Sequence, residues 1–105
     1  MPWMRAISEA GFQRQVVARA QYHGWWVWHC FDSRRTTPGL PDLILIRRGQ
    51  DGRPGRVIFA ELKSQKGRLR PEQRDVLAML ATCPVESYLW RPSDWAAIEE
   101  ILSRA

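Results

Sequence analysis

Two short apolar runs on either side of a dense turn signal place the strongest constraint on the fold of this chain. Residues 43–46 and 57–60 consist of Leu, Ile, Val, Phe and Ala, and residues 47–55 between them contain three glycines and a proline. Apolar, β-branched runs bounded by Gly, Pro and Asp are typical of strands joined by a tight connection. The pattern predicts an antiparallel hairpin centred on Asp51-Gly52, with strands at roughly residues 42–47 and 56–63.

Charged residues stand at the open end of this predicted hairpin. Asp42 begins the first strand, and Glu61 and Lys63 close the second. A turn centred on Asp51-Gly52 sets Asp42 opposite Glu61, and directly opposed residues on neighbouring strands lie about 5 Å apart at Cβ. Because strand side chains alternate between faces, Glu61 and Lys63 point the same way and Leu62 points into the core. The sequence therefore predicts two carboxylates and one ammonium in a single small patch.

These residue types suit metal-dependent hydrolysis of a phosphodiester. Mg²⁺, or Mn²⁺ in its place, prefers carboxylate, carbonyl and water oxygens. Asp42, Glu61 and the backbone carbonyl of Leu62 would bind the metal, which lowers the pKa of a coordinated water. Lys63 would orient that water or stabilise the charge that builds on the phosphate. In the competing, structural interpretation the acids are solvated strand ends and Glu61 forms an exposed ion pair with Lys63.

Size and charge favour a folded protein with a polyanionic ligand. The chain has 105 residues, is 45% hydrophobic and carries a net charge of +5, which predicts a single domain over residues 1–105. A basic surface attracts polyanions, and Lys occurs only at positions 63 and 66, so arginine supplies most of the charge. No run approaches the roughly 20 apolar residues of a membrane span, and no signal-peptide centre is found. We therefore expect a cytoplasmic protein without a membrane partner.

The rest of the pattern predicts helices and two more strands around the hairpin. Helices are expected over residues 6–23, 71–81 and 93–102, with Ser8 and Ser93 as N-caps and Pro71 in a first turn. Strands are expected over residues 25–31 and 85–90. The predicted order is αβββαβ followed by a C-terminal helix, which is an α+β fold with a mixed sheet.

Several segments together resemble the VRR-NUC branch of the PD-(D/E)xK nucleases. Pro41-Asp42 and Glu61-Leu62-Lys63 are similar to the signature of that superfamily. The wider similarity extends over the segments Ser8-Glu9, Phe12-Gln13 and residues 32–35, 38–42, 59–64, 67–74 and 88–95. The resemblance covers about residues 8–102 and implies a restriction-endonuclease-like core.

The same resemblance implies an activity and an assembly. It implies a Mg²⁺- or Mn²⁺-dependent endonuclease that hydrolyses DNA phosphodiester bonds structure-selectively, without a small-molecule cofactor. Stand-alone family members from phages or bacteria look like homodimers that cut Holliday junctions, which implies branched or duplex DNA as the substrate and a role in DNA repair. A homodimer would also suit the tryptophans of the first strand, since exposed Trp on an edge strand is typical of an interface.

Further site residues come from the resemblance and from the charge pattern. In related nucleases an acid of the first helix joins the metal site, which assigns Glu9 as a ligand; in the structural alternative it only complements the helix dipole. The family pattern places Gln73 near the attacking water or a phosphate oxygen, against an ordinary exposed helix position. Two basic loops at the ends of the hairpin strands are predicted to contact DNA phosphates through Ser33, Arg34, Arg35, Lys66, Arg68 and Arg70.

Other functions remain open at this stage. One alternative is a catalytically silent DNA-binding accessory module, although such a module has no need of Asp42, Glu61 and Lys63 together. Others are a nuclease for flap, single-stranded or RNA substrates and a toxin-like DNase. Four further arginines flank the hairpin turn, where they serve solubility or reach a second DNA arm: Arg47, Arg48, Arg53 and Arg56.

Overall fold

The computed structural model describes residues 2–29 and 37–105, with the backbone alone for residues 2 and 3. The predicted DNA contacts Ser33, Arg34 and Arg35 lie outside the described residues. The elements, in chain order, are α1 (Pro2–Arg5), α2 (Glu9–Tyr22), β1 (Trp26–His29), β2 (Leu43–Arg47), β3 (Arg56–Leu62), α3 (Pro71–Leu80), β4 (Glu86–Trp90), a 3-10 turn (Pro92–Asp94) and α4 (Trp95–Ser103).

The four strands form one mixed sheet in the order β1-β2-β3-β4. β1 and β2 pair antiparallel, as do β2 and β3, whereas β3 and β4 pair parallel and are connected through α3. A parallel pair needs such a crossover connection, because a tight turn can only join antiparallel neighbours. The mixed α+β architecture is consistent with the restriction-endonuclease-like fold expected from the sequence.

The predicted hairpin register is confirmed. Leu43 pairs with Ala60 and Arg47 with Arg56, so the turn is centred on Asp51-Gly52. Asp51 and Gly52 both have positive φ, at 54° and 77°. Consecutive positive φ values are what a two-residue hairpin turn of type I′ requires, and Asp-Gly meets that requirement at little steric cost.

The core lies on one face of the sheet, beneath α2 and α4. Alternate residues of the hairpin strands point into it, which buries Leu43 and Leu45 of β2 together with Ile58, Ala60 and Leu62 of β3. The two helices contribute the apolar residues of their inner faces: Phe12, Val16, Ala20, Ile98, Ile101 and Leu102. α3 lies on the opposite face, where Gln73 contacts Glu61.

The helices differ from the predictions at three points, the first being that α2 begins at Glu9 rather than at residue 6. The short helix α1 was not expected, and the predicted cap of the last helix is wrong. A 3-10 turn precedes α4, so the N-cap residue is Asp94. Ser93 instead accepts a hydrogen bond from Gln65, 3.0 Å away. Ser8, in contrast, caps α2 as predicted, since its Oγ accepts the N–H of Gly11 at 3.0 Å.

Two of the turn arginines have structural partners. Arg47 donates to the carbonyls of Leu102 and Arg104, and Arg56 donates to those of Ile101 and Arg104. Both guanidinium groups also stand over the ring of Trp25, 4.6 and 5.0 Å from its centroid. Cations at a helix C-terminus satisfy its last carbonyls and the helix dipole. Arg47 and Arg56 therefore hold the end of α4, whereas Arg48 and Arg53 are exposed.

Within the described residues, no helix has the length and apolar character needed to cross a membrane.

Candidate functional site

Asp42, Glu61 and Lys63 meet at the open end of the hairpin. Asp42 Oδ2 accepts the backbone N–H of Leu62 at 2.8 Å, and Lys63 Nζ lies 4.0 Å from Glu61 Oε1. Glu61 is only 2% exposed and Lys63 only 9%. Charged side chains are almost never this buried unless they are paired. The exposed ion pair of the structural interpretation is therefore wrong for Glu61 and Lys63.

Gln73 is fixed against Glu61 by two hydrogen bonds. Its Nε2 donates to Glu61 Oε1 at 2.9 Å, and its Oε1 accepts the backbone N–H of Arg70 at 2.8 Å. Arg70 is the N-cap residue of α3 and Pro71 follows at the first helical position, so Gln73 satisfies a free N–H of the helix start. The amide therefore has a fixed orientation, with its NH₂ group toward the carboxyl.

The site is electrostatically strained without a cation. The pKa of the Glu61 carboxyl is raised to about 8, mainly by burial and next by repulsion from Asp42 and a hydrogen bond with it. Lys63 opposes the increase, while the charge of Glu9 adds a small further increase. Two adjacent carboxylates cannot both ionise cheaply in a buried place, and a bound cation removes that cost.

The oxygen atoms at this place suit a hard divalent cation. In a strand the N–H and C=O of one residue point toward the same neighbouring strand. The N–H of Leu62 reaches Asp42, so its carbonyl points to the same side, beside two carboxylates. Mg²⁺ takes such ligands together with several waters. In residues 2–29 and 37–105, no three His, Cys, Asp or Glu side chains converge on a common point, so Glu9 is not grouped with Asp42 and Glu61.

The second predicted basic loop leads away from Lys63. Lys66, Arg68 and Arg70 are exposed on residues 64–70, between β3 and α3. A Cβ built on Gly67 would lie 3.5 Å from Lys63 Cδ, so the loop passes along the stem of that lysine. The basic loop thus begins beside the lysine of the candidate site.

Sequence reasoning missed the contacts that hold this loop. Arg91 donates to the carbonyls of Ser64 and Gly67 and contacts that of Gln65, and Gln65 exchanges hydrogen bonds with Ser93. The sequence pattern marks Arg91 only as part of the family resemblance and Ser93 also as a helix cap. No local pattern identifies an arginine that binds carbonyls more than twenty residues away.

Comparison with known families gives an extended match. The family model of the VRR-NUC domain matches residues 3–93. The chain belongs to the VRR-NUC domain family. VRR-NUC domains are part of the PD-(D/E)xK superfamily, and the domain implies a nuclease that acts on DNA, typically with selectivity for its structure. Comparisons with the curated proteins and with the solved structures gave no match.

The VRR-NUC match includes the four residues that meet at the end of the hairpin, Asp42, Glu61, Lys63 and Gln73, and it extends through Arg91 to Ser93. It therefore spans both the carboxylate pair and the segment on which the basic loop rests.

Proposed function

We propose that this VRR-NUC protein is a metal-dependent, structure-selective DNA endonuclease. The buried Glu61 and Lys63, with the half-buried Asp42 beside them, carry the proposal. An acid and a lysine are costly to bury next to a second acid, and the cost is offset if the group binds a cation and a phosphate. We also propose that residues 1–105 act as a single nuclease domain.

Each side chain has a distinct proposed role. Asp42, Glu61 and the Leu62 carbonyl hold Mg²⁺ or Mn²⁺, and Glu9 reaches the metal through water. The metal, when bound, polarises the phosphate and lowers the pKa of a coordinated water. Lys63 donates to the phosphate oxygens, where negative charge grows as the water attacks.

Gln73 serves as an orienting group with a spare donor. One of its two amide N–H bonds holds Glu61 in place, and the other can reach the attacking water or a phosphate oxygen. Because its Oε1 is already bound to the Arg70 N–H, the amide cannot flip without breaking two hydrogen bonds. The side chain is therefore preorganised for this role.

We further propose a homodimer that resolves Holliday junctions. Trp26 is 59% exposed and Ile46 is 41% exposed, and the two residues pair across β1 and β2. They lie on the sheet face opposite the core. An aromatic–aliphatic pair of this kind suits the centre of an interface between two copies. Two copies would bring two sites, which matches the two cuts that a junction requires.

Cleavage of matched DNA structures tests this proposal. A labelled four-way junction, a flap, a linear duplex and a single strand would be incubated with Mg²⁺, Mn²⁺ or EDTA. We expect metal-dependent, paired cuts in the junction by the wild type, and no cuts by Glu61→Gln. Cutting of flaps or single strands alone would reject the junction role. Binding without any cutting would support a silent DNA-binding module instead.

A further inference from the structure

The loop of residues 64–70 rests on one arginine. Nη1 of Arg91 donates to the carbonyl oxygens of Gly67 and Ser64 at 2.6 and 2.8 Å, and it lies 3.5 Å from that of Gln65. A terminal guanidinium nitrogen carries two hydrogens, so the two short contacts are full hydrogen bonds and the third is a weak electrostatic contact. The half-buried guanidinium group of Arg91 thus contacts three carbonyls of the turn at residues 64–67.

A second set of bonds fixes the same loop to the same segment. Gln65 Nε2 donates to Ser93 Oγ, and the Ser93 N–H donates to Gln65 Oε1, both at 3.0 Å. One residue before the loop, the Lys63 N–H donates to the Trp90 carbonyl at 3.1 Å. The loop is therefore attached along its first half to the segment between β4 and α4.

These contacts determine what the loop presents to solvent. Three carbonyls turn inward to Arg91, while Lys66 and Arg68 are exposed. The loop also begins and ends in the candidate site, since it starts after Lys63 and the N–H of Arg70 binds Gln73. The cations therefore stand at a set position relative to the carboxylates.

We propose that Arg91 is a positioning residue for DNA: it holds the basic loop in its binding conformation, so that Lys66, Arg68 and Arg70 meet the DNA phosphates beside the scissile bond. This inference rests on the proposed nuclease function. A free loop of this length loses conformational entropy when it binds, and a preorganised loop has lost it already. Arg91 therefore acts on DNA affinity through the loop, without contacting DNA itself.

The alternative is an arginine that serves stability alone. Arg47 supplies a matched control, because it also donates to backbone carbonyls, at the other end of the sheet beside the hairpin turn. The test compares Arg91→Met with Arg47→Met. For each variant, the dissociation constant for a labelled junction without metal and the kcat and KM for cleavage would be measured at a temperature where both are folded.

We expect Arg91→Met to raise the dissociation constant and KM about tenfold while kcat changes less than about threefold, as for a loss of uniform binding. Arg47→Met should leave both constants within about twofold. Arg91→Lys should restore part of the affinity, since an ammonium also donates to several carbonyls. Equal effects of Arg91→Met and Arg47→Met on the dissociation constant, or none from Arg91→Met, would overturn the proposal.

A double variant separates the loop from the rest of the fold. In a Lys66→Gln/Arg68→Gln background the loop has lost two of its cations, so Arg91→Met should have little further effect on DNA affinity. A full additional loss would mean that Arg91 acts elsewhere and would overturn the proposal. If Arg91→Met fails to fold, Gln65→Ala takes its place, because it breaks the bonds to Ser93; we then expect about a threefold loss of affinity, and an unchanged affinity would reject the inference.

Limited trypsin digestion provides a readout that needs no cleavage of DNA. Release of the loop should speed cutting after Lys66 and Arg68 in Arg91→Met but not in Arg47→Met. Wild-type protein that binds DNA without cutting would reject the nuclease proposal, while the affinity and trypsin results would still decide the role of Arg91. Unchanged trypsin sensitivity of Arg91→Met would contradict that role.

Discussion

At the scale of single residues, the candidate site combines burial with charge. Asp42, Glu61 and Lys63 lie close together, and the first two would repel each other if both were ionised. Two adjacent carboxylates of this kind are typical of functional sites, where a bound ligand removes the repulsion between them. The burial of Glu61, more than its presence in a sequence pattern, therefore argues for a function.

Neutralising either carboxylate should stop cleavage and spare DNA binding. We expect Asp42→Asn and Glu61→Gln to lower the single-turnover rate at least about a hundredfold, the order seen when one charge-stabilising group is removed. Lys63→Met should lower the rate by a similar factor. Junction affinity should stay equal or increase in the two carboxylate variants, because repulsion of phosphate falls. Gel-shift and single-turnover assays measure both quantities, and a variant that cuts normally but binds poorly would refute the site assignment.

The raised pKa of Glu61 predicts a pH dependence of stability without metal. The Glu61 carboxyl has its ordinary pKa of 4.5 in the unfolded chain, and its pKa is raised to about 8 in the folded protein. Between these two pH values the unfolded state releases a proton that the folded state keeps. The protonated Glu61 carboxyl therefore contributes fully to the free energy of unfolding below about pH 4.5. This contribution falls as pH rises and is lost above about pH 8. The slope for one proton is at most about 1.4 kcal/mol per pH unit.

Denaturant unfolding from pH 5 to 9 checks this expectation. Glu61→Gln should flatten the decline, while Glu100→Gln, a change at an exposed acid on α4, should leave it unchanged. Mg²⁺ should restore stability at high pH, since it favours the ionised carboxylates. A decline of equal slope in wild type and Glu61→Gln would assign it to another group.

At the scale of elements, two glycines with positive φ lie on either side of β2. Gly52, at the hairpin turn, has φ of 77° and no other atoms near its missing side chain. Gly39, three residues before Asp42, has φ of 89°, and a Cβ there would lie 2.4 Å from the Glu72 carbonyl oxygen in α3. Gly52 therefore meets a demand of the backbone alone, whereas Gly39 also allows two segments to touch.

Alanine substitutions at these two glycines should distinguish backbone strain from a steric clash with α3. Gly52→Ala should lower the free energy of unfolding by about 1 kcal/mol, from backbone strain. Gly39→Ala should cost about 3 kcal/mol or more, because α3 or the segment before Asp42 must move, and it should also slow cleavage. Urea unfolding and cleavage rates measure both effects. Equal losses in the free energy of unfolding at the two sites would show that α3 moves away from residue 39 without a significant energetic penalty.

At the scale of the whole molecule, the two faces of the sheet are unequal. The α2 and α4 face is buried, whereas Trp26 and Ile46 on the other face are exposed. Contiguous exposed apolar residues on a sheet are typical of an interaction surface. This asymmetry is what motivates the proposed homodimer.

A charge placed on this face should dissociate the dimer. We expect the wild type to sediment as a dimer at micromolar concentration and Ile46→Lys to sediment as a monomer, because a buried unpaired ammonium is costly in an interface. Tyr22→Lys is the matched control: Tyr22 is 73% exposed on α2 and lies on the other side of the molecule from the sheet face. A monomeric wild type would reject the dimer.

The hairpin, its register and the acids at its open end follow from the sequence alone. These features are local: a strand pattern repeats every two residues, and Asp51-Gly52 fits the positive φ values of its turn. A register shift by one residue would move all the core-facing apolar residues of β2 out of the core, so the apolar pattern is compatible with one pairing register. The position of Asp42 opposite Glu61 follows from that register.

The roles of the neighbouring side chains depend instead on tertiary contacts. Arg47 and Arg91 look alike in sequence, yet one holds the end of α4 and the other holds the basic loop. The burial that raises the pKa of Glu61 and the bond that fixes Gln73 also depend on how α3 docks on the sheet. These properties arise from distances between elements far apart in the chain, and such distances leave no local pattern in the sequence.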